Sequence, residues 1–396
     1  MWISLLSLYF LLHTILGHQV VLKQTNQIGG PFSYEWLHML EQFHNTFGNR
    51  TKDDTHCLFP TPTFDCQPFL WDDGIVKRDA YHLRPQDIKS IIAIGDSMTA
   101  GFGMISGRPP FATVLEYRGK VFSVGGDPGE HTLPNFFSIY SGASQTGASK
   151  GTTLPKSKGK QLNNAISGAK AQDLDDELDR LTRMMQYEKY KHIKDDWKLI
   201  TLFIGANNVC ELCQPPFSRL PELADADVFE ANVRAMLERI RTDVGKSFVN
   251  LVALFNVSSV YEASREDPYC RMVLDPSHMV ICSCIQGNEK QRQGTADRIV
   301  DEYNRRLQKL EREFKHKDIH QLGVSYQPSF ADFPVSKYKQ AYFSGVDCFH
   351  PNKCGNQVMA TLLWNNMFSN QIEKRKKWDV ETLQFVCPSA HQPYIQ

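Results

Sequence analysis

The amino-acid sequence predicts an α/β protein whose parallel sheet is covered by helices on both faces. From Ser90 onward, short apolar runs alternate with segments of helical periodicity, which is the pattern of repeated βαβ units. Several of these runs end in glycine or a polar residue, where a loop must begin. Hydrophobic residues form 41% of the chain and charged residues 22%, so the composition is that of an ordinary globular protein.

Five apolar runs are candidate strands. Each run is short and bounded by turn-forming or polar residues, as a strand of a covered parallel sheet should be. In chain order the runs are SIIAIG at 90–95, KVFSVG at 120–125, LITLFIG at 199–205, VNLVALF at 249–255 and LGVSYQP at 322–328.

Two helices are predicted by apolar residues that repeat every three or four positions. Asp227 and Glu230 form a possible capping box for the first helix, and Gly245 is its predicted stop. We interpret both apolar stripes as core faces. Their members are Phe229, Val233, Met236, Ile240 and Val244 in the first helix, and Ile299, Tyr303, Leu307, Leu310 and Phe314 in the second.

The chain is predicted to comprise a signal peptide at 1–17, an extension at 18–85 that packs on the main domain, the main domain at 86–370 and a tail at 371–396. The apolar run from Trp2 to Leu16 suits a cleaved secretory signal and is short for a membrane span. No lysine or arginine precedes this run, so a retained anchor is the alternative. The tail is polar and offers no second span. We therefore expect a secreted, extracellular protein.

The charges and the cysteines limit the partners and the compartment. Lysine plus arginine and aspartate plus glutamate both total 44, so no basic surplus is available to neutralise nucleic-acid phosphates. No stable protein partner is implied either. The ten cysteines favour an oxidising compartment. The predicted disulfides are short-range ones: Cys57 with Cys66, Cys210 with Cys213, and Cys348 with Cys354.

Two further features concern the surface and a redox alternative. The CELC segment at Cys210 could also be a redox pair or half of a zinc site, but no second ligand pair stands at metal spacing, which favours a structural disulfide. Asn49 and Asn256 are glycosylation sequons, and Asn49 is the better candidate because Asn256 ends a predicted core strand. Between Gly125 and Lys160 lies a stretch rich in glycine, serine, threonine and proline, which could shape or cover a substrate cleft.

The first predicted strand delivers a serine to the sheet edge where α/β proteins bind ligands. In IGDSMTAGFG, Ser97 follows the strand directly and precedes a helix start, so its hydroxyl should be accessible to a substrate. The GxSxG motif of other hydrolases is absent because Thr99 occupies the second glycine position. Taken alone, the GDS segment is also ordinary turn chemistry.

A histidine and an aspartate near the end of the domain are spaced as a base and its orienting group. In VDCFHPNKCG, Asp347 precedes His350 by three residues, so its carboxylate can orient the imidazole while the other ring nitrogen faces a serine. Ester hydrolysis also needs donors for the developing oxyanion. Gly168 is a candidate because its backbone, which carries no side chain, can bring an N–H close to a reacting centre. Asn207 is a candidate because it directly follows a predicted strand.

The segments GDS at 95–97, NAISGA at 164–169, GANN at 205–208 and DCFH at 347–350 resemble the four ordered blocks of the SGNH (GDSL-type) hydrolases. The longer sequence around these four blocks resembles the animal phospholipase B branch of that superfamily. This resemblance implies a three-layer α/β/α fold with a parallel, five-stranded, flavodoxin-like sheet. It also implies Ser97 as the nucleophile, His350 as the general base, Asp347 as its orienter, and an oxyanion hole made by Ser97, Gly168 and Asn207.

The same resemblance implies an esterase without metal or cofactor that hydrolyses fatty-acyl esters of phospholipids and lysophospholipids at membrane or micelle surfaces. One departure is Asn208, which replaces the acidic residue usual in the third block and puts the local hydrogen bonding in question. Two alternatives stay open. The enzyme could act on carbohydrate acetyl or short-chain esters, since the fold hosts many esterases, or the protein could be a non-catalytic lipid-binding protein.

Overall fold

The computed structural model describes residues 55–68, 73–75, 77–108, 114–211, 224–256, 258–264, 266–274, 282, 290–332 and 335–396. Within these ranges the chain forms one parallel sheet of four strands in the order β1-β2-β3-β4. The strands are β1 Ile88–Gly95, β2 Trp197–Phe203, β3 Ser247–Val252 and β4 Leu322–Gln327. The predicted α/β class with a parallel sheet is confirmed.

Consecutive residues of the strands are buried, so both faces of the sheet are covered. Every residue of β2, β3 and β4 is buried, and in β1 only Lys89 is exposed. A strand that faces solvent on one side would alternate instead. Strand register places Gly95 opposite Phe203, which brings the carboxyl ends of β1 and β2 to the same level.

The predicted strand at 120–125 is wrong, because this segment forms turns. Val121 and Phe122 are nevertheless fully buried, so the apolar pattern reports burial and not strand pairing. The free edge of β1 is instead occupied by two short segments from other loops. The N–H of Ile91 donates to Thr146 O at 2.9 Å, and the N–H of Asn164 donates to Ala93 O at 2.8 Å.

In chain order the α-helices of the described residues are α1 Ser97–Ala100, α2 Leu133–Ser141, α3 Leu174–Gln186, α4 Ala206–Glu211, α5 Ala226–Arg239, α6 Ser258–Ser264, α7 Pro268–Val273, α8 Lys290–Phe314, α9 Val335–Tyr338 and α10 Lys353–Met367. The helix α5 packs against both α3 and α8. Elsewhere, Phe137 and Tyr140 of α2 contact Trp364 of α10.

Both predicted helices are present as α5 and α8, and a π-helical turn at Ile240–Val244 extends α5 to the predicted stop at Gly245. The capping box is wrong. Asp225 is the N-cap of α5, since its carboxylate accepts hydrogen bonds from the N–H groups of Asp227 and Val228. The Glu230 carboxylate pairs with cations of α5 and α8 instead. The loop-like stretch after Gly125 contains the nine-residue helix α2.

The disulfides join distant segments, so the three short-range pairs predicted for Cys57, Cys210 and Cys348 are wrong. The four bonds of the described residues are Cys57–Cys354, Cys66–Cys387, Cys210–Cys282 and Cys270–Cys348. Because Cys210 is bonded to Cys282, it does not form a redox pair with Cys213 of the CELC segment. Cys213 itself lies outside the described residues. Sequence spacing could not supply these pairs because the folded backbone sets which cysteines meet.

Segments on either side of the sheet domain pack against it. Phe64 stacks on Phe136 of α2 and meets Trp364 edge to face. In the tail, the Val386 carbonyl accepts the Trp364 indole N–H at 3.0 Å, and Ile395 is fully buried. The domain boundaries given above remain predictions. No helix of the described residues is long and apolar enough to cross a membrane.

Of the asparagines in the two glycosylation sequons, the structure describes only Asn256. Asn49 lies outside the described residues. Asn256 follows β3 and is half-buried, and the Ser258 hydroxyl of its sequon donates a hydrogen bond to Asp297. Glycosylation at either asparagine therefore remains a prediction.

Candidate active site

The turn after β1 holds Ser97 at the first position of α1. Gly95 adopts φ 152°, and a side chain there would approach the Phe203 carbonyl oxygen to 2.3 Å, so only glycine fits. Asp96 caps α1 by accepting the Met98 N–H at 3.0 Å. Gly101 then ends the helix after one turn in the left-handed conformation. This tight arrangement projects the Ser97 hydroxyl from the carboxyl end of β1.

A compact loop before α10 holds the imidazole of His350. Ser344 closes this loop, because its N–H donates to the His350 carbonyl at 2.7 Å. The Ser344 hydroxyl joins the loop to the segment after α1 by donating to the Gly103 carbonyl at 2.6 Å. The bonds Cys270–Cys348 and Cys57–Cys354 tie the chain on either side of His350. A cysteine staple beside His350 was predicted, but each cysteine takes a distant partner.

Ser97, His350 and Asp347 form one hydrogen-bonded chain. His350 Nε2 lies 2.6 Å from Ser97 Oγ, and His350 Nδ1 lies 2.6 Å from Asp347 Oδ2. The other carboxylate oxygen of Asp347 accepts the N–H groups of Phe349 and His350 at 2.9 and 3.0 Å. All three side chains are buried, with Ser97 and His350 each 8% exposed. The order acid, imidazole and hydroxyl is the arrangement that activates a serine nucleophile.

Register also brings Gly168 and Asn207 to the level of the Ser97 turn. The N–H of Ile166 donates to the Gly95 carbonyl at 3.0 Å, and Phe203, opposite Gly95, lies four residues before Asn207. The Asn207 amide donates to the Ala169 carbonyl at 2.9 Å, which links the two candidate donor segments directly. Gly168 adopts φ 92° with open space around its Cα, so it is required for backbone conformation and not for room.

Asn208 is fully accommodated as an amide. Its Oδ1 accepts the Ala171 N–H at 3.0 Å, and its Nδ2 donates to Gln172 Oε1 at 2.8 Å. A carboxylate at this position would keep the bond from the Ala171 N–H. It has no donor for Gln172 Oε1, so it would bond Gln172 only if that side chain turned its NH₂ group toward the carboxylate. The departure from the usual acidic residue is therefore matched by Gln172.

Comparison with known proteins decides the family. The description GDSL-like Lipase/Acylhydrolase applies to the family profile that matches residues 91–363, well over half of the chain. The chain belongs to the GDSL-like lipase and acylhydrolase family. Its members are carboxylic ester hydrolases, and so is this protein.

The chain is also similar to curated relatives and to solved structures. The chain is 30% identical to human "Phospholipase B1, membrane-associated" and 29% identical to the mouse protein of that name, over 81% and 80% of its length. It spans 22% of the length of each relative. Axe2, an acetylxylan esterase from Geobacillus stearothermophilus, is 16% identical with a TM-score of 0.39, over 72% of this chain and 96% of that chain.

The Asp347 carboxyl is suited to remain ionised beside the imidazole of this GDSL-like hydrolase. Burial by itself would raise the pKa of Asp347. The charge of His350 and the hydrogen bonds from His350 and Phe349 outweigh burial, and they hold that pKa below its usual range. An ionised carboxylate can then stabilise the imidazolium that forms during catalysis.

Two further buried carboxyl groups lie in and beside the Ser97 turn, those of Asp96 and Glu177, and neither of them was identified from the sequence. Glu177 of α3 accepts the Gly95 N–H at 2.8 Å, and burial raises its pKa well above the usual range. A sequence signal was present, because Glu177 lies on the same helical stripe as the buried Leu174, Leu178 and Leu181. A charged residue on an apolar stripe indicates a specific buried partner.

Asp96 makes the stability of this turn dependent on pH. Burial raises the pKa of Asp96 to about 6, even though the Met98 N–H and the His350 charge oppose the shift. A carboxyl group with a higher pKa in the folded chain favours folding most at low pH. Its contribution is fully present below about pH 4 and is lost as the pH rises to about 6.

We expect the Asp96→Asn variant to be more stable than the wild type at pH 8, by up to about 3 kcal/mol in the free energy of unfolding. The asparagine keeps the cap on Met98 but carries no charge to desolvate. The difference should shrink to near zero at pH 4. Denaturant unfolding at both pH values measures it, and a wild type that gains on the variant as the pH rises would contradict the assignment.

Proposed function

We propose that the protein is a secreted serine esterase that hydrolyses fatty-acyl ester bonds of phospholipids and lysophospholipids through an acyl-enzyme on Ser97. The observation that carries the proposal is the chain of two 2.6 Å hydrogen bonds from Asp347 through His350 to Ser97. Geometry of this kind prepares a hydroxyl for attack on an ester carbonyl.

In the first half of the proposed reaction, Ser97 Oγ attacks the ester carbonyl carbon and its proton passes to His350 Nε2. The ionised Asp347 holds the imidazolium through Nδ1. The carbonyl oxygen becomes an oxyanion. It accepts hydrogen bonds from the backbone N–H groups of Ser97 and Gly168 and from the side-chain amide of Asn207. Collapse of this intermediate breaks the ester bond, and His350 returns the proton to the leaving glycerol oxygen.

In the second half, water takes the place of the leaving alcohol. His350 Nε2 accepts a proton from water as the water oxygen attacks the acyl carbonyl carbon. The bond from the acyl carbon to Ser97 Oγ then breaks, and the proton returns to Oγ. One ester bond is exchanged for one carboxylic acid and one alcohol, and every group of the enzyme returns to its starting state.

A lipid substrate and an extracellular location are supported by different observations. The relatives of highest identity given above are both named phospholipase B1. Four disulfides among the described residues suit an oxidising compartment. The apolar segment from Trp2 to Leu16 supports export as a signal peptide.

The test is release of free fatty acid from vesicles of phosphatidylcholine and from lysophosphatidylcholine, with Ser97→Ala as the control. We expect release from both lipids by the wild type and none by the control. Acetylated xylo-oligosaccharide and nitrophenyl esters from C2 to C16 are assayed in parallel. Hydrolysis confined to acetyl or C2 to C4 esters would overturn the lipid assignment while keeping the esterase. If a fluorophosphonate probe did not label Ser97 in the wild type, the proposal that the protein is a serine esterase would be overturned.

We expect the Asn207→Ala variant to lose about 10²- to 10³-fold in kcat, because one donor to the oxyanion is removed. The change should leave the fold intact, since Asn207 makes a single hydrogen bond to the Ala169 carbonyl on a half-exposed surface. Steady-state kinetics on a nitrophenyl ester, beside a thermal unfolding curve, measures both quantities.

The matched control for Asn207→Ala is Asn208→Asp at the next position. The carboxylate keeps the bond from the Ala171 N–H, and the Gln172 amide can turn to donate. We expect kcat within about threefold of the wild type. If a folded Asn207→Ala protein lost less than tenfold in kcat, Asn207 would have no place in the oxyanion hole.

A further inference from the structure

We infer that the buried ion pair of Glu116 and Arg118 positions the oxyanion hole by fixing the backbone on the N-terminal side of Gly168. The inference rests on the proposed function, because it takes the Gly168 N–H as a donor to the oxyanion. Neither charged residue belongs to the Ser97, His350 and Asp347 chain. Both are positioning residues that act through Ser167.

The ion pair is completely buried beside the segment that carries Gly168. Glu116 and Arg118 are each 0% exposed, and the Arg118 Nη2 lies 2.7 Å from Glu116 Oε2. The Ser167 hydroxyl donates to Glu116 Oε1 at 2.6 Å. Arg118 donates to the Ala165 carbonyl at 2.9 Å and to Asn163 Oδ1 at 3.2 Å. Two charged groups therefore hold three of the five residues before Gly168.

Gly168 has no packing of its own to fix its orientation. It is exposed, adopts φ 92°, and a side chain placed on it would meet nothing within 4 Å. Its N–H direction is set by the peptide that joins it to Ser167. That residue is held by Glu116, and on the other side the Ala169 carbonyl is held by Asn207. The candidate donor thus lies between two anchored neighbours.

The network is fully satisfied, which is the condition under which buried charge rigidifies a structure. Glu116 Oε1 accepts from Ser167 and from the Lys156 N–H, while Oε2 accepts from Arg118 and Thr153. A hydrogen bond to an ionised acceptor is stronger than a neutral one, so Ser167 is held more firmly than a backbone carbonyl could hold it. Stability alone does not explain an ion pair here, since apolar residues in such positions are often as stable.

Two hydroxyl groups donate to the Glu116 carboxylate, those of Ser167 and Thr153. Comparing their removal distinguishes a role in positioning Gly168 from a role in stabilising the fold. Ser167 bonds Oε1 at 2.6 Å and adjoins Gly168. Thr153 bonds Oε2 at 2.8 Å and lies in a different loop. Ser167→Ala and Thr153→Val each remove one hydroxyl bond to Glu116 and leave the ion pair with Arg118 in place. Thr153→Val also removes the bond that the Thr153 hydroxyl accepts from Arg118 Nε at 3.0 Å. A merely structural network therefore predicts at least as large a loss for Thr153→Val as for Ser167→Ala.

The experiment compares both variants with the wild type on a soluble nitrophenyl ester, which does not depend on the lipid assignment. We expect Ser167→Ala to lower kcat about 10- to 100-fold, part of the loss expected when a donor is removed completely, with KM within twofold. The Ki of a trifluoromethyl ketone, whose tetrahedral serine adduct places an oxyanion in the hole, should rise by the same factor. Thr153→Val should keep kcat and Ki within twofold, although both variants unfold at lower temperature.

Three outcomes would overturn the inference. Ser167→Ala with kcat within twofold of the wild type would show that Glu116 does not position Gly168. A kcat loss in Thr153→Val as large as or larger than that in Ser167→Ala would assign the network to general support. A wild type that neither hydrolyses the ester nor reacts with a fluorophosphonate at Ser97 would remove the proposed function and this inference together, whereas the first two outcomes leave the proposed function standing.

Discussion

The Ser97→Ala variant is expected to lose about 10⁶-fold in kcat for ester hydrolysis, the largest effect of any single change in this chain. No other hydroxyl of the described residues is bonded to His350 Nε2. The fold should be unchanged, because the turn is held by Gly95 and by the Asp96 cap and not by the Ser97 side chain. Hydrolysis of a nitrophenyl ester and labelling by a fluorophosphonate probe measure the loss.

The matched control is Ser90→Ala on β1, the strand that precedes Ser97. Ser90 is fully buried near the amino end of β1, and its hydroxyl has no hydrogen-bond partner among the described residues. Its removal should therefore leave kcat and labelling within twofold of the wild type. Labelling of Ser97→Ala at the wild-type rate would place the reactive serine elsewhere and overturn the proposed mechanism.

The meeting of Ser97 with His350 was indicated by the resemblance to the SGNH hydrolases, whereas the proximity of Gly168 and Asn207 to the Ser97 turn follows from how parallel strands order their carboxyl ends. Each of the blocks that carry Ser97, Gly168 and Asn207 follows a segment paired at the level of Gly95. Once β1 and β2 are recognised as neighbours, their loops have no other edge to occupy. The contact between Asp347 and His350 was predictable because the two residues are three positions apart and lie in one loop.

Interactions between distant segments could not be anticipated in the same way. Cys57 and Cys354 are 297 residues apart, and their pairing depends on how the N-terminal segment crosses α10. The apolar segment at 120–125 has the composition of a strand, but the edge of β1 is already occupied by Thr146 and by residues 162–164. Local pattern reports burial, whereas pairing is decided by competition between segments for one edge.

The buried carboxyl groups show the same limit from another side. Glu116 and Glu177 lie in segments for which the sequence predicted no functional residue. Their partners are backbone N–H groups and hydroxyls brought by other loops, such as the Gly95 N–H and the Ser167 hydroxyl. The apolar stripe around Glu177 indicates that this carboxyl has a buried partner, but only the folded chain shows which groups the partners of Glu116 and Glu177 are.

Asp347→Asn is expected to lower kcat about 10⁴-fold by reversing the histidine tautomer. Asp347 Oδ1 accepts two backbone N–H groups, so the oxygen of an asparagine must stay on that side. Its NH₂ group would then face His350 Nδ1, which must become an acceptor. The proton would move to Nε2 and point at Ser97, leaving the imidazole unable to take the serine proton.

This argument separates the tautomer from the loss of charge. In Asp347→Ala no NH₂ group faces Nδ1, so the imidazole can keep the productive tautomer through water, and we expect a smaller kcat loss than in Asp347→Asn. Asp87→Asn, at the amino end of β1, is the control and should keep kcat within twofold. Nitrogen-15 shifts of the His350 ring should report an Nδ1 proton in the wild type and an Nε2 proton in Asp347→Asn. If both proteins carried the proton on Nδ1, Asp347 would act through charge and not through orientation of the ring.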